Sequence, residues 1–106
     1  MTADPLRGTT IRWTYDDGPV KGKTFEHRFA TDGTVSWREP DGAPSAQEPS
    51  ARYEYARVTD GVYAVAYLAS SGFTLTTVVD TERRTIVSFA SNEKQLFIQH
   101  GRLAAT

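Results

Sequence analysis

The stretch RYEYARVTDGVYAVAYLASSGFTLTTVVD, residues 52–80, decides the fold of this chain. Apolar and polar side chains alternate along most of it, and a period of two is typical of β-strands with one buried face. Short turn signals, Thr-Asp-Gly at 59–61 and Ser-Ser-Gly at 70–72, interrupt the alternation. The runs between these turns have the length of ordinary strands. They predict three antiparallel strands joined by hairpins, at 52–58, 62–69 and 73–80.

Similar alternation predicts further strands on both sides of this stretch, at 9–15, 24–30, 34–39, 85–91 and 95–103. The Asp-Gly pair before residue 34 is a tight-turn signal, because both residue types tolerate positive φ. Residues 40–50 contain three prolines among small polar residues, so we expect a loop there. Short strands at such regular spacing indicate an antiparallel meander.

The predicted fold class is all-β, a single antiparallel up-and-down barrel of about eight strands. A flat sheet of this size would leave two exposed edges, which closure into a barrel removes; an open sheet and a sandwich are the alternatives. The chain has 106 residues, the size of one compact domain, so we assign residues 1–106 to a single domain. The interior of such a barrel is either filled by side chains or wide enough for one small ligand.

The charge and cysteine content exclude several classes of function. The chain has 12 Lys and Arg against 13 Asp and Glu, and without a basic stripe we expect no nucleic-acid partner. Cysteine is absent, which removes disulfides, thiolate catalysis and cysteine-ligated metals. The start MTADPLRG lacks the apolar segment of a signal peptide, and no apolar run is long enough to span a bilayer. We therefore expect a cytoplasmic protein without a membrane partner.

Three segments resemble the MoaF-like family of small calycin barrels, whose architecture is lipocalin-like. They are FEHRFATDGTVSWRE at 25–39, VYAVAYLASSGFTLTTVVD at 62–80 and TIVSFASNEKQLFIQHG at 85–101, so the resemblance covers most of the chain. It implies a lipocalin-like barrel. The family name suggests molybdenum cofactor biosynthesis, but the resemblance implies no catalytic role for particular residues.

A more distant resemblance is to the phenolic acid decarboxylases, which share the calycin architecture. Their substrate-handling Tyr-x-Tyr pair resembles WTY at 13–15, which implies that Trp13 and Tyr15 face a cavity. Their Trp-Thr-Glu-Pro stretch resembles YLAS at 67–70, where the catalytic glutamate falls on Ala69. No stretch of this chain resembles the Gly-Arg-Trp that carries their catalytic arginine. The resemblance therefore supports the walls of a cavity and not decarboxylation by that mechanism.

With Trp13 and Tyr15 inward, alternation places both tryptophans and all five tyrosines inside the barrel. A barrel interior that is only filled by side chains would favour Leu, Ile, Val and Phe, because buried phenol and indole groups need polar partners. Small-molecule sites, in contrast, are mostly apolar and contain a few polar groups. We expect a ligand that is aromatic or polyketide-like; a filled barrel that serves protein interactions is an alternative. In the last strand, Leu96, Ile98 and His100 share one face. The predicted ligand-binding residues are Trp13, Tyr15, Phe25, His27, Phe29, Trp37, Tyr53, Tyr55, Tyr63, Tyr67, Thr77 and Ser88.

His27 is a titratable residue on the predicted inner face, between Phe25 and Phe29. It is either packed with one local hydrogen bond or functional, and apolar surroundings would lower its pKa. We expect His27 to form a hydrogen bond with a ligand. The alternative is that the protein is a small cofactor-free isomerase, cyclase or lyase, with His27 and either Tyr15 or Tyr67 as the best catalytic candidates. The sequence leaves open whether the protein is an enzyme. No cofactor and no metal are expected, because the two histidines lack a clear third ligand.

The same alternation predicts an apolar patch on the outer wall of three neighbouring strands. Monomers rarely leave such a patch exposed to water. We expect a homodimer formed through this face; coverage by the N-terminal segment or by the 40–50 loop is the alternative. The residues of the patch are Ala64, Ala66, Leu68, Val78, Val87 and Phe89.

Overall fold

Eight antiparallel β-strands form a closed barrel in the computed structural model, which describes residues 6–39, 50–69 and 72–104. Each strand pairs with the next, and the last pairs with the first to close the ring, so the predicted fold class is confirmed. The described part of the chain contains no helix that could span a lipid bilayer. The strands are β1 (Thr10–Tyr15), β2 (Thr24–Phe29), β3 (Thr34–Arg38), β4 (Ser50–Thr59), β5 (Val62–Leu68), β6 (Thr74–Asp80), β7 (Thr85–Ser91) and β8 (Leu96–Leu103).

The strand boundaries lie close to those that the alternation predicts. The largest difference is in β4, which begins at Ser50 instead of residue 52. Both Asp-Gly turns form as predicted, because Gly33 and Gly61 adopt φ angles of 89° and 76°, which residues with a Cβ disfavour. Of the predicted loop, residues 40–49 lie outside the described residues and Ser50 belongs to β4.

The barrel interior is packed in two clusters of buried side chains. Leu6, which precedes β1, joins the first cluster at 4% exposure, although the strand pattern gave it no role. It packs near the β2–β3 turn, because Phe29 ends β2 and Val35 begins the inner face of β3. The first cluster consists of Leu6, Phe29, Val35, Tyr53, Val65 and Tyr67, and the second of Trp13, Tyr15, Val79 and Ile86.

The pairing of β8 with both neighbours decides which of its faces is inward. Gly101 lies opposite Tyr15 of β1 and Ile86 of β7, and all three are buried. Because side chains alternate, Gln99 also lies on the inner face. The face shared by Leu96, Ile98 and His100 is therefore the outer one, and all three of these residues are exposed.

Glu26 is an unexpected feature of the outer wall, because its carboxylate is buried there. It lies on β2 with an exposure of 5%, between Arg12 of β1 and Arg38 of β3. The Arg12 Nε donates to Oε2 at 2.7 Å and the Arg38 Nε donates to Oε1 at 3.0 Å. These two hydrogen bonds hold the pKa of Glu26 below its usual value. The carboxylate thus ties three adjacent strands together.

Candidate functional site

A cavity of about 170 Å³ lies inside the barrel, toward the end at which β1 and β5 finish. Its described wall is aromatic and aliphatic, with two phenols, one indole, one imidazole and one carboxamide, and it holds no Asp, Glu, Lys or Arg side chain. The wall includes five of the predicted ligand-binding residues. The lining residues are Tyr15, Val20, Phe25, His27, Trp37, Tyr67, Ala69, Leu75 and Gln99.

His27 is held between a hydrogen bond and a stacked ring. Its Nε2 lies 2.9 Å from the hydroxyl of Tyr67, and this contact crosses the interior because β2 and β5 are not neighbours. The ring of Trp13 stacks on the imidazole, with centroids 4.0 Å apart and planes inclined by 18°. Sequence reasoning left Tyr15 and Tyr67 as equal candidates for the partner of His27, and the geometry selects Tyr67.

Both members of the His27–Tyr67 pair are uncharged at neutral pH. Burial lowers the pKa of His27 to about 3, because removal from water penalises the imidazolium. Burial raises the pKa of the Tyr67 phenol, and the nearby Tyr15 adds a smaller effect in the same direction. The Nδ1 of His27 is buried without a hydrogen-bond partner among the described residues. The pair therefore offers neutral donors and acceptors rather than charge.

A second polar group inside the barrel is a chain of hydroxyls. The Tyr15 hydroxyl lies 3.1 Å from the Ser88 Oγ, which lies 2.8 Å from the Thr77 Oγ1. Cross-strand pairing of Thr77 with Ser88 places these two side chains side by side on β6 and β7. Both are buried but neither belongs to the cavity wall, so Tyr15 connects them to the cavity.

Gln99 is a cavity residue that the sequence analysis missed. Its side chain is 6% exposed, and its Oε1 has no hydrogen-bond partner in the described part of the chain. Gln99 and Leu75 also line a neighbouring hollow of about 190 Å³, so these two side chains lie between the two spaces. Its one signal in the sequence is a polar residue that follows the apolar run LFI, and the sequence does not show that this residue faces inward.

The remaining predicted ligand-binding residues do not line the cavity. Trp13, Phe29 and Tyr53 are buried in the two core clusters. Tyr55 and Tyr63 are half-buried on β4 and β5. A role for these five residues in ligand binding stays a prediction.

The wall supplies weak groups for acid–base chemistry. Ala69, at the position where the resemblance places the glutamate of the phenolic acid decarboxylases, does line the cavity and contributes only a methyl group. Proton transfer would therefore rest on His27 and Tyr67. An imidazole with a pKa of about 3 is a poor base at neutral pH, since a general base works best with a pKa near the working pH. The arrangement is better suited to hydrogen bonding with an uncharged ligand.

Comparison with known proteins identifies a matching family and similar solved structures. A sequence profile of the MoaF N-terminal domain matches residues 1–95. A crystal structure from Burkholderia vietnamiensis, provisionally described as a beta-lactamase, superposes with a TM-score of 0.78 at 21% sequence identity. The match covers 100% of both chains and concerns the fold alone. Among curated proteins, no match to this chain was found.

A Ser-x-x-Lys spacing, which serine beta-lactamases use at their nucleophile, does occur in this chain at Ser91–Lys94. Ser91 lies at the end of β7, paired with Thr74 and Leu96 on the outer face. Lys94 is exposed in the β7–β8 turn. Because this serine and lysine lie outside the barrel and not in its cavity, the spacing provides no nucleophile for the candidate site.

Proposed function

The chain belongs to the family of MoaF N-terminal domains, and we propose that it is a small-molecule-binding barrel whose cavity holds a single aromatic ring. The observation that carries this proposal is the space of about 170 Å³ among Trp37, Tyr67 and Phe25, which lies at one end of the barrel and is partly open to solvent. The rings of Trp37 and Tyr67 lie 4.6 Å apart at an angle of 33°, so they pack against each other and together form an aromatic side of the cavity, against which a planar ligand packs.

The size of the cavity narrows the ligand. An apolar protein cavity of about 150 Å³ is enough for benzene, whereas pockets for drug-sized molecules measure roughly 300–1,000 Å³. The cavity described here therefore suits one substituted ring. The polyketide-like ligand that the sequence also suggested needs more room, so we retain the aromatic one.

Binding is better supported than catalysis. The described wall holds no carboxylate, and the imidazole that faces it is uncharged and weakly basic. If the protein were a cofactor-free isomerase, cyclase or lyase, His27 and Tyr67 would be its catalytic pair. Substitution His27→Ala separates the two functions, because a binder loses a modest part of its affinity while an enzyme loses turnover and still binds.

The proposal is tested by titrating the isotope-labelled protein with neutral one-ring compounds, phenol and toluene, and following the amide resonances by NMR. We expect saturable shifts centred on the cavity residues of β2 and β5. The variant Ala69→Phe places a ring inside the cavity and should abolish these shifts while the fold is retained, because Ala69 contributes only a methyl group to the wall.

Ser36→Phe is the matched control for that variant. It adds the same ring to the outer face of β3, where Ser36 pairs with Arg28, and it should bind the ligands as the unmodified protein does. The proposal fails if neither compound produces saturable shifts at the cavity, or if Ala69→Phe binds them as well as the Ser36→Phe control.

We propose in addition that the protein works in the cytoplasm, supported by the absence of cysteine from its sequence. A fluorescent fusion in cells tests this proposal, since a diffuse cytoplasmic signal is expected and a surface or secreted signal contradicts it.

A further inference from the structure

We infer that the cavity selects uncharged one-ring molecules that carry a carbonyl group, and that Tyr67 and Gln99 are the residues that recognise this group; the inference rests on the proposed function. Its starting point is the balance of charge and hydrogen-bonding groups on the cavity wall. Three features carry the inference: the lack of charge in the wall, the hydroxyl proton of Tyr67 that His27 does not use, and the carboxamide of Gln99.

The described cavity wall offers no counter-charge to an ionised ligand. Among its residues, only Tyr15, His27 and Tyr67 carry titratable side chains, and burial keeps His27 and Tyr67 in their neutral forms. The arginines of β1 and β2 lie on the outer wall, where Arg12 and Arg28 contact Glu26. A carboxylate or ammonium group inside the partly open cavity would thus lose part of its hydration and gain no ion pair.

Tyr67 is placed to donate a hydrogen bond to a ligand. If the proton of the His27 ring is on Nε2, the imidazole donates to the Tyr67 hydroxyl, and the hydroxyl proton is left for a third group. If the proton is on Nδ1, a buried N–H has no acceptor among the described residues. Buried N–H groups without an acceptor are rare in proteins, so the first form is favoured. In that form, the complementary group on a ligand is an acceptor such as a carbonyl oxygen.

Gln99 supplies the second polar contact. Its carboxamide carries both a donor and an acceptor, it is buried at the wall, and its Oε1 has no partner among the described residues. Rotation about the last side-chain bond exchanges the amide nitrogen and oxygen at little steric cost, so Gln99 can match either a donor or an acceptor beside the carbonyl. An aromatic amide offers one partner to each of these residues, because its carbonyl oxygen accepts from Tyr67 and its N–H group donates to Gln99.

Three compounds of nearly the same shape test the selection by charge: benzamide is neutral, benzoate is an anion and benzamidine is a cation at pH 7. Titrations of the labelled protein with each compound should show that benzamide binds at least tenfold more tightly than either ion. Equal or tighter binding of benzoate or benzamidine would overturn the inference.

Toluene separates this failure from that of the proposed function. If toluene binds and benzamide has no advantage over the ions, the cavity holds rings without the selection inferred here; if none of the four compounds binds, the proposed function itself fails.

The two recognition residues are tested by variants that keep shape and remove polar atoms. Tyr67→Phe and Gln99→Met should each lower the affinity for benzamide about tenfold, the usual range for one lost hydrogen bond, and leave the affinity for toluene unchanged. Ser36→Ala, which removes a hydroxyl from the outer wall, is the control and should bind both compounds normally. If Tyr67→Phe does not fold, as its amide spectrum would show, Gln99→Met decides alone. Wild-type affinity for benzamide in the folded variants would exclude this recognition.

Discussion

At the scale of single residues, His27 is the side chain whose surroundings differ most from those in water. It is 3% exposed, its ring lies under Trp13, and its one hydrogen bond is to the neutral Tyr67. Neither Trp13 nor Phe29, the aromatic residues beside the imidazole, titrates. Nothing among these neighbours stabilises a positive charge, so folding requires that His27 lose its proton.

The stability of the protein should therefore depend on pH through His27. The unfolded chain binds a proton at His27 near pH 6.5, and the folded protein binds it only near pH 3. The stability that the neutral imidazole contributes is fully present above pH 6.5. It is lost progressively as the pH falls from 6.5 toward about 3. The slope should approach about 1 kcal/mol per pH unit between pH 6.5 and 4.5, above the range where most carboxylates titrate. Urea unfolding at several pH values measures it.

The variant His27→Gln removes the titrating group and should flatten this slope, whatever its effect on stability at pH 7. His100→Gln is the matched control, because His100 is exposed on the outer face of β8 and pairs there with Asp17 at 2.9 Å. It should leave the slope due to His27 in place. A wild-type slope in His27→Gln would mean that another group causes the pH dependence.

The alternation predicted that His27 faces inward, but it could not identify Tyr67 as the partner. The two residues are 40 positions apart on strands that are not neighbours in the barrel, and which side chains meet across a barrel depends on the stagger of all its strands. Gln99 was missed for a related reason. Both faces of β8 carry apolar residues, so the sequence did not show which face points into the barrel. The pairing of Gly101 with β1 shows it.

At the scale of strands, the carboxylate of Glu26 connects β1, β2 and β3. Alternation with His27 inward places Glu26 on the outer face, but its burial results from arginines on the two neighbouring strands, which a one-dimensional pattern does not contain. Burying a charge is tolerated when it is paired and hydrogen-bonded, and both oxygens of Glu26 accept from a guanidinium.

The variant Glu26→Gln should destabilise the protein by about 1–2 kcal/mol, since hydrogen bonds to charged groups contribute about 1.5–3 kcal/mol and the arginines are half exposed. Urea unfolding at pH 7 measures the loss. Glu54→Gln, on the exposed outer face of β4, is the control and should change stability by less than about 0.5 kcal/mol. Equal effects of the two substitutions would show that the network contributes nothing.

Gly101 is needed where β8 closes the barrel against β1. A Cβ at this position would collide with the backbone carbonyl oxygen of Thr14 and would lie 3.2 Å from the Cδ1 of Ile86. The register joins the two strands through three pairs only, those of Trp13, Tyr15 and Thr14 with β8. Of the two pairings that β8 makes, the one with β1 is the shorter. The pairing with β7 extends along seven residues of each strand.

The variant Gly101→Ala should cost about 1–3 kcal/mol, as overpacking does elsewhere, and should open the barrel at this closure first. Hydrogen exchange should become faster for β1 amides than for those of β5 and β6. Gly22→Ala is the comparison, because a Cβ there meets open space and only its φ of 84° is unfavourable. Uniformly faster exchange in Gly101→Ala would contradict a local opening.

At the scale of the whole molecule, one face of the outer wall carries both a projection and a hollow. The projection, here called the knob, consists of Phe89 and Ile98. Phe89 and Ile98 are neighbours on β7 and β8 and are 39% and 50% exposed. On the other side of Thr76 lies a hollow of about 210 Å³ over β4 to β6, here called the alanine hollow, which is bordered by Ala56, Ala64 and Ala66 and also by Glu54 and Tyr55. In a two-fold symmetric pair, each copy offers the same surface, so a face that bears both shapes is complementary to itself.

We propose a definite geometry for the homodimer expected from the sequence, with a two-fold axis that passes near Thr76 and parallel to β6. Phe89 of each copy then enters the alanine hollow of the other. Light scattering over a range of concentrations should give twice the chain mass at the upper end. Phe89→Asp, which puts a charge on the knob, and Ala66→Arg, which fills the hollow, should each give a monomer that still binds a ring in its cavity.

Ser36→Asp is the control for these dimer variants, because it adds a charge to the outer wall of β3, away from β5 to β8, and should leave the mass unchanged. The pattern across the variants matters more than any single mass. A knob and a hollow that bind each other must both be required, so loss of the dimer in Phe89→Asp but not in Ala66→Arg would leave an apolar contact without the proposed fit. A monomer at every concentration of the unmodified protein would refute the dimer, and the exposed Leu68, Leu96 and Ile98 would then need another partner.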